Sequence, residues 1–238
     1  MKFVLIVAAV LIAIGIYVFY LWHTLARSIE ASKPLIAEAV AFEQHPAHPT
    51  EKILVAGDST GVGVGASSNQ DSIAGRIGRD FPDADITNIS HSGDRLADLE
   101  KILQAHNGSG YDVVLLQIGA NDITGRTPYA DTRAELEHVL DRASMLGVKI
   151  VVMTAGNVGL SPAFKWPLSL YIEARTKSVR SIFLDEISKH QNASYVDLFK
   201  EAKDEIFNTD IPRYYAPDRF HPSGEGYGEW YAKLKPSL

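Results

Sequence analysis

The sequence predicts an α/β domain built on a parallel, doubly wound sheet, with one transmembrane helix in front of it. Three observations carry this expectation. From residue 51 onward, short apolar runs alternate with stretches whose apolar residues recur at helical spacing. The run Val113–Ile118 is apolar enough to be a strand buried on both faces, the habit of parallel sheets. Residues 3–22 carry no charge and are mostly apolar. The chain has 238 residues, enough for one such domain and an extra segment. The predicted organisation is a membrane anchor over 1–23, a juxtamembrane helix and linker over 24–50, and a single domain over 51–238.

As a helix, residues 3–22 measure about 30 Å, the thickness of a bilayer's hydrocarbon core. Tyr17, Tyr20 and Trp22 gather at the far end, where interfacial aromatics sit. A cleaved signal peptide has a shorter apolar core ending in small residues. Leu21-Trp22-His23 follows instead, and Thr24-Leu25-Ala26 makes a weak cleavage site, so an uncleaved signal anchor is expected. Lys2 precedes the span while Arg27 and Lys33 follow it, so flanking charge decides little. The domain is placed outside the cytoplasm because a short amino-terminal tail suits a signal anchor. Ser32 with Pro34 reads as the start of a short helix. His45-Pro46-Ala47-His48-Pro49 then reads as a solvated loop.

Within the domain, Lys52–Ala56 is expected as the first strand. A helix over Asp71–Phe81 follows, with Ile73, Ile77 and Phe81 on one face. Asp85–Ser90 is the second strand, and Asp94–His106 a helix with Leu96, Leu99, Ile102 and Leu103 in register. After the third strand comes a helix over Arg133–Leu146, stopped by Gly147 as a C-cap signal. Lys149–Thr154 is the fourth strand, Leu168–His190 a long helix, Ser194–Val196 a short fifth strand, and Glu225–Leu234 a closing helix.

Composition narrows function before any motif does. The net charge is −6 without a basic block, which gives nucleic-acid binding no electrostatic support. The absence of cysteine removes disulfides, thiolate zinc sites and a cysteine nucleophile together.

Chemistry-bearing residues follow three successive strands. Ser59, in Gly57-Asp58-Ser59-Thr60, ends strand one. Gly93, in Ser92-Gly93-Asp94, follows strand two. Asn121, in Gly119-Ala120-Asn121-Asp122, follows strand three. The carboxyl ends of parallel strands share one edge, so the three can converge. The Ser59 N–H, the Gly93 N–H and the Asn121 amide would then form an oxyanion hole, with the missing Cβ at 93 permitting close approach. Near the end of the chain, Asp218-Arg219-Phe220-His221 places a carboxylate and an imidazole three residues apart, between Pro217 and Pro222. Asp218 can hold one ring nitrogen of His221 while the other takes a proton from Ser59.

These blocks, in this order, resemble the SGNH (GDSL-type) hydrolase superfamily over about residues 51–238. The resemblance implies a flavodoxin-like three-layer α/β/α sandwich with a five-stranded parallel sheet. It implies ester or thioester hydrolysis with neither metal nor cofactor. Ser59 would be the nucleophile, His221 the base and Asp218 its partner, with Ser59, Gly93 and Asn121 as the oxyanion hole. Thr60 departs from the motif, which has leucine there, and Gly61-Val62-Gly63-Val64-Gly65 is unusually glycine-rich.

Other readings compete. Gly57-x-Ser59-x-Gly61 also fits the nucleophile elbow of α/β-hydrolases, but there the serine follows several strands and the acid and histidine lie on separate loops. Gly61-x-Gly63-x-x-Ala66 with Asp80 is a loose dinucleotide fingerprint that explains neither Asn121 nor the Asp218/His221 pair. A non-catalytic anchored binding domain on the same fold is the alternative of a different class; a fluorophosphonate probe failing to label Ser59 would favour it. Asp58 and Asp122 read as turn caps, Ser92 and Asp94 as the start of the second helix. His91 reads as structural; His106, His138 and His190 read as solvated helix residues. Asn157, Trp166, Arg213, Tyr214 and Tyr215 lie on loops that could border the pocket. The expected substrate is an acyl ester (a lipid, an acylated glycan or a short ester), and the expected partner a membrane through residues 3–22.

Overall fold

The structure is a computed structural model describing residues 1–238. Five strands, β1 (Glu51–Gly57), β2 (Ala84–Asn88), β3 (Tyr111–Gln117), β4 (Gly147–Met153) and β5 (Ala193–Val196), form one sheet in the order β2-β1-β3-β4-β5. Every pairing is parallel. This is the flavodoxin-like order, with the topological switch between β1 and β3.

The apolar runs explain why the sheet is covered on both sides. Successive side chains of a strand point to opposite faces. Leu54, Leu116 and Val152 therefore meet Leu99, Leu140 and Phe183 in one core, beneath α4 (Leu96–Ala105), α6 (Tyr129–Leu146) and α7 (Leu168–Ile187). Val55, Leu115 and Val151 meet Ile73, Ile77 and Tyr227 in the other, beneath α3 (Ile73–Asp80) and α9 (Gly224–Leu234). Three short helices, α2 (Ser59–Val62), α5 (Ala120–Thr124) and α8 (Ile211–Tyr214), complete the domain. The expected three-layer α/β/α sandwich is what the chain forms.

Element edges differ from expectation where tertiary contacts set them. The second helix of the domain starts at Leu96, not near Ser92 and Asp94. Its first N–H groups are taken elsewhere: Leu96 N–H donates to the Asp122 carboxylate at 3.2 Å and Arg95 N–H to Asp98 at 3.3 Å. Helix α6 does end before Gly147, but that residue is extended (φ −146°) rather than left-handed. A Cβ there would lie 2.9 Å from the Tyr111 carbonyl oxygen, so the glycine serves strand packing.

The largest difference lies before the domain. Helix α1 runs unbroken from Lys2 to Glu38, about 55 Å at 1.5 Å per residue. The helix expected to start at Ser32 is its final part, and Pro34 sits inside it. Helix α1 contains a stretch long and apolar enough to cross a membrane, a test that a signal sequence also passes. Nor is the following segment a free linker. Gln44 bridges antiparallel to Ile86 on the outer strand β2, with backbone bonds of 3.1 and 2.7 Å. Its side-chain amide donates to the Phe81, Pro82 and Ala84 carbonyls. His45, expected in a solvated loop, meets Asp85 at 2.7 Å. The strap satisfies part of the hydrogen-bonding edge that β2 would otherwise expose.

Candidate active site

The site stands on the carboxyl edge of the sheet and begins with a close approach between β1 and β3. Asp58 N–H donates to the Gln117 carbonyl at 2.8 Å. A Cβ on Gly57 would lie 2.0 Å from that same oxygen, so only glycine fits. The chain then turns into α2. The Asp58 carboxylate accepts from the Thr60 N–H at 2.9 Å and the Thr60 hydroxyl at 2.8 Å, capping the helix at whose first position Ser59 stands. Asp58 is thus a turn cap, as expected, and Thr60 has a local structural partner. Complete burial pushes the Asp58 carboxyl up to about 6, against the hydrogen bonds from Thr60 and the pull of His221.

The other half of the site comes from the loop ahead of α9. Arg219 takes a left-handed conformation (φ +60°), its N–H bonding back to the Ala216 carbonyl at 2.8 Å. That tight turn lets one Asp218 oxygen accept from the Phe220 and His221 N–H groups at 2.9 and 3.0 Å. The other Asp218 oxygen lies 2.5 Å from His221 Nδ1. These bonds hold the Asp218 carboxyl below the usual carboxylate range even though burial pulls it upward. An ionised Asp218 fixes the proton on Nδ1, leaving Nε2 as the acceptor; it lies 2.9 Å from Ser59 Oγ. Asp218, His221 and Ser59 are all buried.

Gly93 and Asn121 lie with Ser59 and His221 around one cavity of about 370 Å³. The Asn121 amide donates to the Asp94 carbonyl at 2.9 Å, which fixes its direction. Gly93 has φ +93°, and a Cβ there would meet nothing within 4 Å. The block that carries Asn121 is braced from below. Asp122 accepts from the Thr127 hydroxyl at 3.0 Å as well as from Leu96. The buried guanidinium of Arg175 donates to the Ile123, Asp122 and Thr127 carbonyls at 3.1, 3.4 and 2.7 Å. Sequence reading missed Arg175, because a basic residue in an amphipathic helix resembles any surface charge.

A second, smaller recess of about 50 Å³ also reaches Ser59 and His221, and is bordered by Asn157, Tyr215, Glu205 and Phe207. Of the loop residues that could border the pocket, Asn157 and Tyr215 do so here. Trp166 instead meets Tyr17 of α1. Arg213 lies over the Tyr214 ring and beside Glu225, away from both spaces. His91 is exposed beside Asp94. His106 and His190 are less solvated than expected, bonding to Tyr111 and to Glu186 and Asp141 respectively. The loose dinucleotide fingerprint has no open cradle: Gly61 and Gly63 pack against Ser90 and Ser72, and Asp80 bonds Tyr231 and Lys235.

With this geometry in hand, the chain can be set beside known proteins. The sequence model of the GDSL-like Lipase/Acylhydrolase family matches residues 55–228. No curated protein sequence matches significantly. Among solved structures, a lipolytic G-D-S-L protein from Veillonella parvula is 16% identical, with a TM-score of 0.62 over 79% of this chain and 97% of that one. A catalytic mutant of an acetylxylan esterase from Geobacillus stearothermophilus is 19% identical, with a TM-score of 0.54 over 80% and 95%. A structure from Streptococcus pneumonia is 17% identical, with a TM-score of 0.59; it covers 95% of this chain and 98% of its own, so that likeness extends into α1.

Proposed function

The chain belongs to the GDSL-like lipase/acylhydrolase family, and from that premise we propose that it is a membrane-anchored serine hydrolase of carboxylic or thio esters. The observation that carries the reading is the unbroken line from Asp218 through His221 to Ser59, at 2.5 and 2.9 Å, ending in a cavity that Gly93 and Asn121 share.

In the proposed reaction Ser59 Oγ bonds to the ester carbonyl carbon while its proton passes to His221 Nε2. The carbonyl oxygen becomes an oxyanion, held by the Ser59 N–H, the Gly93 N–H and the Asn121 amide. The imidazolium, stabilised by Asp218, returns the proton to the leaving alkoxide or thiolate as the tetrahedral intermediate collapses to the acyl-enzyme. Water, deprotonated by His221, attacks the same carbon. Collapse of the second tetrahedral intermediate releases the acid and restores Ser59. In acylation the Ser59 Oγ–carbon bond replaces the carbon–oxygen or carbon–sulfur bond to the leaving group, in deacylation a water oxygen replaces Ser59 Oγ, and no redox partner is needed. Lipolytic proteins and acetylxylan esterases, both among the structural neighbours, act on substrates within reach of this chemistry.

The test is hydrolysis of p-nitrophenyl acetate by the full chain in detergent. Ser59→Ala should lower kcat/KM by at least about 10³-fold; undiminished turnover would overturn the assignment. We place residues 3–22 in the membrane and the domain outside the cytoplasm. The chain should stay in the membrane pellet after alkaline carbonate extraction. In right-side-out vesicles the domain should be open to protease, and protection there would reverse the orientation.

A further inference from the structure

The 370 Å³ cavity beside Ser59 is not closed by the catalytic domain alone. One wall is α1, through Leu25, Ser28, Ile29, Ser32 and Ile36. These positions recur three and four residues apart, so they form one stripe along the helix. Across from them stand Ala163, Phe164 and Phe220, with Ser59, Gly93 and Asn121 at the inner end. Two bonds hold α1 in this position. The Ser28 hydroxyl donates to the carbonyl of Asp218 at 2.5 Å, and the Tyr17 hydroxyl donates to the carbonyl of Trp166 at 2.6 Å. They lie about 16 Å apart along the helix axis, which sets the direction of the groove as well as its position.

We propose that this groove binds the acyl chain of a long-chain ester drawn from the membrane, and that Leu25 and Ile29 of α1 are its chain-length-determining residues. The proposal rests on the hydrolase reading above and adds the identity of the acyl group to it. Three observations favour this occupant. The groove is within the size range of ligand sites, and its two long walls are mostly apolar. The smaller recess that also reaches Ser59 and His221 is only about 50 Å³. That volume is too small for a long chain and leaves it to the groove. Finally, the exposed Trp166 meets Tyr17 within the apolar run of α1. The groove and the membrane segment therefore share one continuous helix, and the domain touches that segment directly.

The experiment compares p-nitrophenyl acetate, octanoate and dodecanoate, hydrolysed by the full chain in phospholipid nanodiscs. In the wild type kcat/KM should climb steeply from acetate to octanoate, with a ceiling of about fourfold per methylene buried. Ile29→Asp and Leu25→Ser should lower the octanoate-to-acetate ratio at least tenfold. Ser32→Trp, which fills the groove, should lower the dodecanoate-to-acetate ratio by a similar factor. Ile29→Ala, a milder change, should move the ratio in the same direction and keeps the test open if the aspartate variant fails to fold. A ratio unmoved by these substitutions, with acetate hydrolysis still dependent on Ser59, would overturn the groove assignment and leave the hydrolase reading standing. Absence of any Ser59-dependent hydrolysis would overturn both.

Discussion

At the scale of single residues, the site sets two buried carboxylates with opposite tendencies within reach of one imidazole. Asp218 is held low by three hydrogen bonds, against the upward pull of its burial. Its contribution to stability is present above the ordinary carboxylate range and is lost as pH falls below it. Asp58 is pushed up to about 6 by burial. Its unfolded form ionises near 4, so between about 4 and 6 the folded state binds more protons and stability falls as pH rises. Replacing Asp58 with asparagine keeps an acceptor for Thr60 and removes the buried charge. Asp58→Asn should therefore gain on the wild type by up to about 3 kcal/mol at pH 7, and by much less at pH 4. Urea unfolding of both proteins at pH 4, 5 and 7 measures that difference directly.

At the scale of elements, the sheet was readable from the sequence because each strand's signal is local. Ile53 to Ala56 and Val113 to Leu116 are apolar without interruption, and a glycine soon after each, Gly57 and Gly119, turns the chain toward the site. The convergence of Ser59, Gly93 and Asn121 followed from strand direction alone. What the sequence hid were contacts whose two halves are far apart. Nothing near Ser28 announces a partner at Asp218, and no periodicity distinguishes an apolar helix that crosses a membrane from one that also lines a groove. Pro34 looked like a start because proline favours first turns; here it lies inside α1, where the helix forgoes the bond that residue 34 would have given the Glu30 carbonyl. Arg175 is the same lesson inside the domain, since its three carbonyl acceptors come from a segment some fifty residues earlier. Arg175→Met should take the guanidinium donor from the Thr127 carbonyl and leave the Asp122 and Ile123 carbonyls only their backbone partners, at a cost of roughly 3 kcal/mol of stability. Because Asn121 sits on the same short helix, kcat should fall as well while the wild-type KM for acetate is largely kept; melting curves and acetate kinetics on one preparation read both effects.

At the scale of the whole molecule, the α/β domain and the amino-terminal helix are joined by the Tyr17 and Ser28 hydrogen bonds. A chain beginning at residue 51 retains every strand of the sheet and both partners of the Ser59–His221 contact. It lacks Leu25, Ile29 and the bond from Ser28. On the proposed reading it should still hydrolyse acetate in a Ser59-dependent manner. Its preference for octanoate over acetate should fall at least tenfold relative to the full chain, as measured on the same ester panel.

On the proposed reading, with residues 3–22 in a bilayer, the continuity of α1 also limits how far the reaction can travel. Had residues 24–50 been a flexible tether, they would have let the domain wander about 30 Å from its anchor, sweeping a broad volume of solution. A helix joined to the domain at Tyr17 and Ser28, followed by a strap bonded to β2, permits almost no such excursion. The serine would work at one set height above the bilayer, like a tool on a fixed post. Encounter with substrate would then depend on what diffuses laterally past the post.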